Sequence, residues 1–208
     1  MVWEVLSIIG TIAFAISGAL VAMDEEYDLF GLYLLGFVTA FGGGAIRNLL
    51  LGIPIINIWD QNKLFLIAFI SITVVCLFQH TLLGHWNRWG NFFDAIGLSA
   101  FAVQGAIMAV DKDLPLMAVV FAAILTGSGG GIVRDVLAGR KPILLKSEIY
   151  AIWAGIAGLL IGLNIMTSNI GLYILFAIIT FLRILSYLYQ WHLPVIKKAV
   201  DDRNYSAD

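Results

Sequence analysis

Charge is scarce in this chain. Only 12% of its 208 residues are Asp, Glu, Lys or Arg, against 61% apolar residues and a mean hydropathy of +0.93. A soluble domain is about half apolar and roughly a quarter charged. A soluble core of this size cannot enclose so much apolar surface, and the surplus must face lipid. A basic excess is also missing. The net charge is −2, which leaves no electrostatic footprint for nucleic acid. A single cysteine, Cys76, permits no internal disulfide. Met1, Val2, Trp3 and Glu4, ahead of the first apolar run, include no Lys or Arg, which argues against a cleaved signal peptide. His80, His85 and His192 are too scattered for a metal site, and no thiol lies near them. The stretch from Gly127 to Asp135 lacks the Lys-Ser/Thr ending of a phosphate loop. No nucleophile–base pair is visible. Neither a cofactor nor an enzyme is expected.

What the chain does have is long apolar runs. Runs of about 17–25 residues read as spanning helices. They cover Val5–Met23, Leu29–Leu51, Lys63–Phe78, Phe92–Val110, Leu116–Ala138, Ser147–Met166 and Ile170–Tyr189, with a polar tail over 190–208. The expected fold is an all-α membrane protein of seven spans, in a single transmembrane domain. Nine Lys and Arg residues fall on the side of the C-terminus and three on the other. The excess of positive charge marks the cytoplasmic side, so the N-terminus is expected outside and the C-terminus inside.

Sliding the sequence along itself by 87 residues exposes a repeat. Gly10–Asp24 falls on Gly97–Asp111, and Gly42–Gly52 falls on Gly129–Gly139, with no gap between the two blocks. A Phe, an Asp, a glycine triplet and an Arg align in one register. Repeat one covers about 5–79 and repeat two about 92–166, leaving the seventh helix outside. Each unit holds three helices. Three is odd, so the second unit enters the membrane from the opposite side, as in the inverted repeats of transporters and permeation folds.

Two sets of residues stand out in the repeat. Gly42, Gly43 and Gly44, matched by Gly129, Gly130 and Gly131, lie inside spanning runs. Each glycine costs a helix interior about 1 kcal/mol relative to alanine. The run Leu29–Trp59 is also too long for one straight span. A break at each triplet is therefore expected, with close helix packing the plainer alternative. Arg47 and Arg134 follow the triplets, next to Asn48 and Asp135. Charge at membrane depth is expensive and usually marks a path. Inversion allows Arg47 to approach Asp135 or another polar group across the axis, and snorkelling to the headgroups is the other option. Ser17 and Gln104 are repeat equivalents, as are Thr39 and Thr126; Ser128 directly precedes the second triplet. These polar groups either bond between helices or line a pore. Asp24 and Asp111 end the first helix of each unit and suit a pore mouth, with solvated loop charges the plainer alternative. Arg140, Lys141 and Lys146 form a basic patch that suits an anionic lipid headgroup, though positive-inside bias explains it equally well.

Paired Gly-Gly-Gly-x-x-Arg-Asn/Asp motifs in a seven-helix inverted repeat resemble the prokaryotic trimeric intracellular cation (TRIC) channels. The resemblance runs from about Val5 to Tyr189. It implies a homotrimer in a prokaryotic inner membrane, with a pore in each protomer shaped by the two glycine-bearing helices. It implies passage of potassium and also sodium ions. Asn48 opposite Asp135 departs from strict duplication and puts equal contributions of the two halves to gating in doubt. A carrier for a small amino acid such as glycine is the alternative, since members of this group also bear that label.

Overall fold

A computed structural model describes residues 2–78, 86–146 and 149–191, with the side chains of Trp86, Asn87, Lys146 and Tyr150 excepted. The three histidines, Ser147 and the tail from residue 192 onward lie outside these residues. The chain forms apolar helices α1 (Val2–Asp24), α2 (Leu29–Leu50), α3 (Asn62–Leu77), α4 (Trp86–Val110), α5 (Leu116–Leu137), α6 (Tyr150–Gly162) and α7 (Asn169–Leu188). Each predicted run falls on one of them. Five are long and apolar enough to cross a membrane, whereas α3 and α6 are shorter.

The second helix of each unit begins and ends on local chemistry. Asp28 caps α2 by accepting a hydrogen bond from the Gly31 N–H at 2.7 Å. Pro115 holds the matching position before α5. Both helices stop at a glycine in the left-handed region, Gly52 at φ 63° and Gly139 at φ 69°. The Ile53 N–H then reaches the Asn48 carbonyl, and the Arg140 N–H the Asp135 carbonyl, each at 2.8 Å. This is the Schellman closure, which satisfies carbonyls at a helix end. It leaves Arg47 and Arg134 in the last turns, where the helix dipole favours a cation.

These stops correct one expectation. Neither triplet interrupts its helix: α2 runs unbroken through Gly42–Gly44 and α5 through Gly129–Gly131. The excess length of the run Leu29–Trp59 is relieved later, at Gly52, beyond which Ile55–Ile58 form a 3-10 turn. A helix of 22 residues is about 33 Å long, already enough to span.

Equivalent helices pack on each other, α1 on α4 and α2 on α5, as the inverted repeat requires. The pairing of α1 with α3 is mirrored by that of α4 with α6, while α7 covers α4 and α6. At the centre Phe14 and Phe101, equivalent residues, sit with ring centroids 5.3 Å apart. Each ring lies over the other unit's glycine. A methyl group on Gly97 would meet Phe14 at 2.2 Å, and one on Gly10 would meet Phe101 at 3.0 Å. Outward positions on α2, α3 and α7, such as Phe30, Leu66 and Phe181, are large, apolar and exposed.

Candidate functional site

The two glycine triplets face one another where α2 crosses α5. A methyl group on Gly43 would sit 2.4 Å from the Thr126 carbonyl oxygen, and one on Gly130 would sit 2.2 Å from the Thr39 carbonyl. Only bare backbone allows this approach. Gly129 would likewise meet Ile46 at 2.8 Å, and Gly131 is buried beside it. Gly42 and Gly44 are looser, with nearest neighbours at 3.6 and 3.8 Å. Nearby, Thr39 donates to the Leu35 carbonyl at 2.6 Å and Ser128 to the Ile124 carbonyl at 2.6 Å. The buried Thr126 hydroxyl has no hydrogen-bond partner among the described residues.

Beyond the triplets the two arginines have opposite surroundings. Arg134, 2% exposed, is held from three helices. Its Nη1 donates to Asp94 Oδ1 on α4 and to Ser17 Oγ on α1, both at 2.7 Å. Its Nε donates to Asp135 Oδ1 at 2.9 Å. The other Asp135 oxygen accepts the Ile143 N–H at 2.9 Å, which ties the following one-turn helix to the cluster. Asp94 is fully buried, and its Oδ2 has no hydrogen-bond partner among the described residues. Breaking such a buried pair at one end costs about 3–5 kcal/mol, because the remaining charge is stranded.

Arg47 is also buried, at 6% exposure, but among the described residues it meets no carboxylate. Its Nε and Nη2 donate to Asn48 Oδ1 at 3.2 and 3.0 Å, and its guanidinium lies 5.3 Å from the centre of the Trp3 ring. It does not reach Asp135, which stays with Arg134. Gln104, the equivalent of Ser17, instead donates to Ser7 Oγ at 2.8 Å and to the Trp3 carbonyl at 3.1 Å. Arg47 opens on a cavity of about 490 Å³ between α1, α2, α3 and α4.

Asp94 is the residue that sequence reasoning passed over. Extending the 87-residue register back from Gly10 places it on Ser7. A lone carboxylate inside the fourth apolar run was the available signal.

The proposed mouth and lipid patch meet each other. Arg140 donates Nη2 to Asp24 and Nε to Glu25, joining the end of α1 to the end of α5. Burial alone lowers the Arg140 pKa, but hydrogen bonds and charge from Glu25 and Asp24 outweigh it, and the net direction is upward. Tyr27 adds a hydrogen bond to the Leu137 carbonyl at 3.0 Å. Asp111 stands exposed after α4, and Lys141 is exposed, while the Lys146 side chain lies outside the described residues.

Comparison with known proteins agrees with this architecture. A sequence profile of the family described as Glycine transporter matches residues 4–80 and 91–165, one block per repeat. The UPF0126 membrane protein YvgT of Bacillus subtilis is 60% identical, covering 93% of this chain and 96% of that protein. The UPF0126 inner membrane protein YadS of Escherichia coli K12 is 35% identical, covering 95% and 96%. A prokaryotic TRIC channel solved in 0.5 M KCl superposes at a TM-score of 0.87 with 35% identity, covering 93% of this chain and 99% of that one. The TRIC orthologue from Rhodobacter sphaeroides superposes at 0.82 with 32% identity, covering 91% and 98%. These relatives are membrane proteins and channels by name, not enzymes. The chain belongs to the prokaryotic TRIC channel family, alongside the bacterial UPF0126 membrane proteins.

Proposed function

We propose that this protein is a passive channel for monovalent cations, potassium and also sodium. It works as a homotrimer in a bacterial inner membrane, with a pore in each protomer and the C-terminus in the cytoplasm. The observation that carries the reading is the buried junction of α1, α4 and α5 at Arg134, set beside the crossing of α2 and α5. The TRIC cation channels to which the chain is similar support it.

Arg134 acts as a latch and not as a filter. A bare guanidinium would repel a permeant cation, but Asp94 and Asp135 more than offset its charge, and the three groups together carry a formal −1. The triplets supply the moving part. Glycine segments can bend or slide because no side chains interlock, and release of Arg134 frees α5 to shift against α2. Asp24 and Asp111 lie toward the mouths, with Asp24 partly neutralised by Arg140.

The alternative, a carrier for a small amino acid, draws on the Glycine transporter description and on Arg47, a cation suited to a carboxylate. Flux from reconstituted liposomes separates the two. A channel gives potassium flux that grows with the gradient and no saturable glycine uptake. Saturable glycine uptake without potassium flux would overturn the channel reading.

A further inference from the structure

The repeat places a matched set of groups around each arginine. Around Arg134 they are Asp135, Asp94 and Ser17; around Arg47 the equivalent positions are Asn48, Ser7 and Gln104. Each carboxylate beside Arg134 is replaced by a neutral group at the equivalent position of the Arg47 set. Yet Arg47 is nearly as buried as Arg134, at 6% against 2%. A guanidinium keeps its proton near neutral pH, so it stays charged there. Burying a cation without a counter-charge costs several kcal/mol. The chain supplies no acid within ion-pair distance of Arg47 among the described residues. What it supplies is the cavity.

That cavity holds about 490 Å³, within the range of small-molecule sites. Arg47 and Lys63 line it as cations and Glu4 as the acid, while Ser7, Thr11, Gln61 and Gln104 add hydrogen-bonding groups. The formal lining charge is therefore +1, counting Arg47 and Lys63 against Glu4. One monovalent anion balances it, whereas a phosphate dianion overshoots. Asn48 occupies the Nε and Nη2 edge of the guanidinium, which leaves Nη1, the atom that holds Asp94 in Arg134, to donate a charge-assisted hydrogen bond to a carboxylate. Phe41, Ile58, Leu64 and Phe101 make the rest of the wall apolar, so the guest is small and organic.

We infer that the cavity beside Arg47 is a binding site for a small monocarboxylate, whose carboxylate takes the place that Asp94 fills beside Arg134. Gly44 also lines the cavity, so the guest touches the triplet segment of α2. The site stands or falls independently of conduction, because its readout is binding.

The test uses the purified full-length protein in detergent, titrated with sodium acetate against sodium chloride at matched ionic strength. A ligand that binds only the folded state raises the melting temperature saturably. The expected result is a saturable rise with acetate and none with chloride, lost in Arg47→Gln. A second variant covers the chance that Arg47→Gln does not fold. Ser7→Asp installs the missing carboxylate, so it should raise the melting temperature on its own and abolish the acetate response. No acetate-specific rise in the unmodified protein would overturn the inference. So would an acetate response that survives unchanged in Ser7→Asp.

Discussion

Arg134 and Asp94 form an ion pair across α5 and α4, Nη1 to Oδ1 at 2.7 Å, with both side chains almost wholly out of contact with solvent. Ser17 of α1 closes the same junction from the opposite repeat. One side chain therefore fastens three helices where the two units meet.

Replacing Asp94 by Asn strands part of that charge. Asp135 remains on Arg134, so the loss should fall toward the lower end of the roughly 3–5 kcal/mol for breaking a buried pair. Denaturation of the purified protein in detergent measures it. In bilayers the same variant should raise open probability, because the latch is weakened. A stable Asp94→Asn protein with unaltered gating would show that Asp94 has no part in the latch.

The glycine triplets give a position-specific prediction. Gly43→Ala and Gly130→Ala each drive a methyl into a facing carbonyl, at 2.4 and 2.2 Å. Overpacking of this kind costs about 1–3 kcal/mol. Gly44→Ala meets nothing closer than 3.8 Å, and should be neutral or stabilising by up to about 1 kcal/mol, through helix propensity. Melting temperatures of the three variants check the order. Equal effects at all three would mean that the triplet acts through backbone freedom and not through close packing.

Arg140 should matter less than its two partners suggest. The cluster with Asp24 and Glu25 is partly exposed, with side chains 27–34% accessible. Water screens such pairs, and exposed pairs contribute about 0–1 kcal/mol. Arg140→Gln should therefore cost no more than that, and the cost should shrink with added salt. The pKa of Arg140 is raised, so its contribution is complete below the unfolded-state value and is lost only as pH climbs through the folded one. Its own titration should add no pH dependence between neutral and moderately alkaline solution. Unfolding of the Arg140→Gln and unmodified proteins across salt and pH tests both points.

Much of the fold was legible because lipid imposes a coarse rule. Apolar runs of about 20 residues become helices, and all seven runs did so. The single register of Phe14 with Phe101 and of the triplets implied two units facing each other, and those residues do meet. The expected helix breaks were misplaced for a physical reason. Propensity records what glycine costs its own helix, but not the neighbouring backbone that fills the space it leaves. Gly52 and Gly139, which do end the helices, were present in the aligned blocks without being read as stops. Asp94 was hidden because a long apolar helix keeps its average hydropathy despite one acid. Arg140 pairing with Asp24, over 100 residues away in sequence, depends on the tertiary fold and has no local signature.

The most direct measurement is planar-bilayer recording of the purified protein under an asymmetric potassium chloride gradient. The expected result is unitary current steps that reverse near the potassium equilibrium potential, with altered gating in Asp94→Asn. An absence of unitary steps, or a reversal at the chloride potential, would contradict a cation channel latched at Arg134.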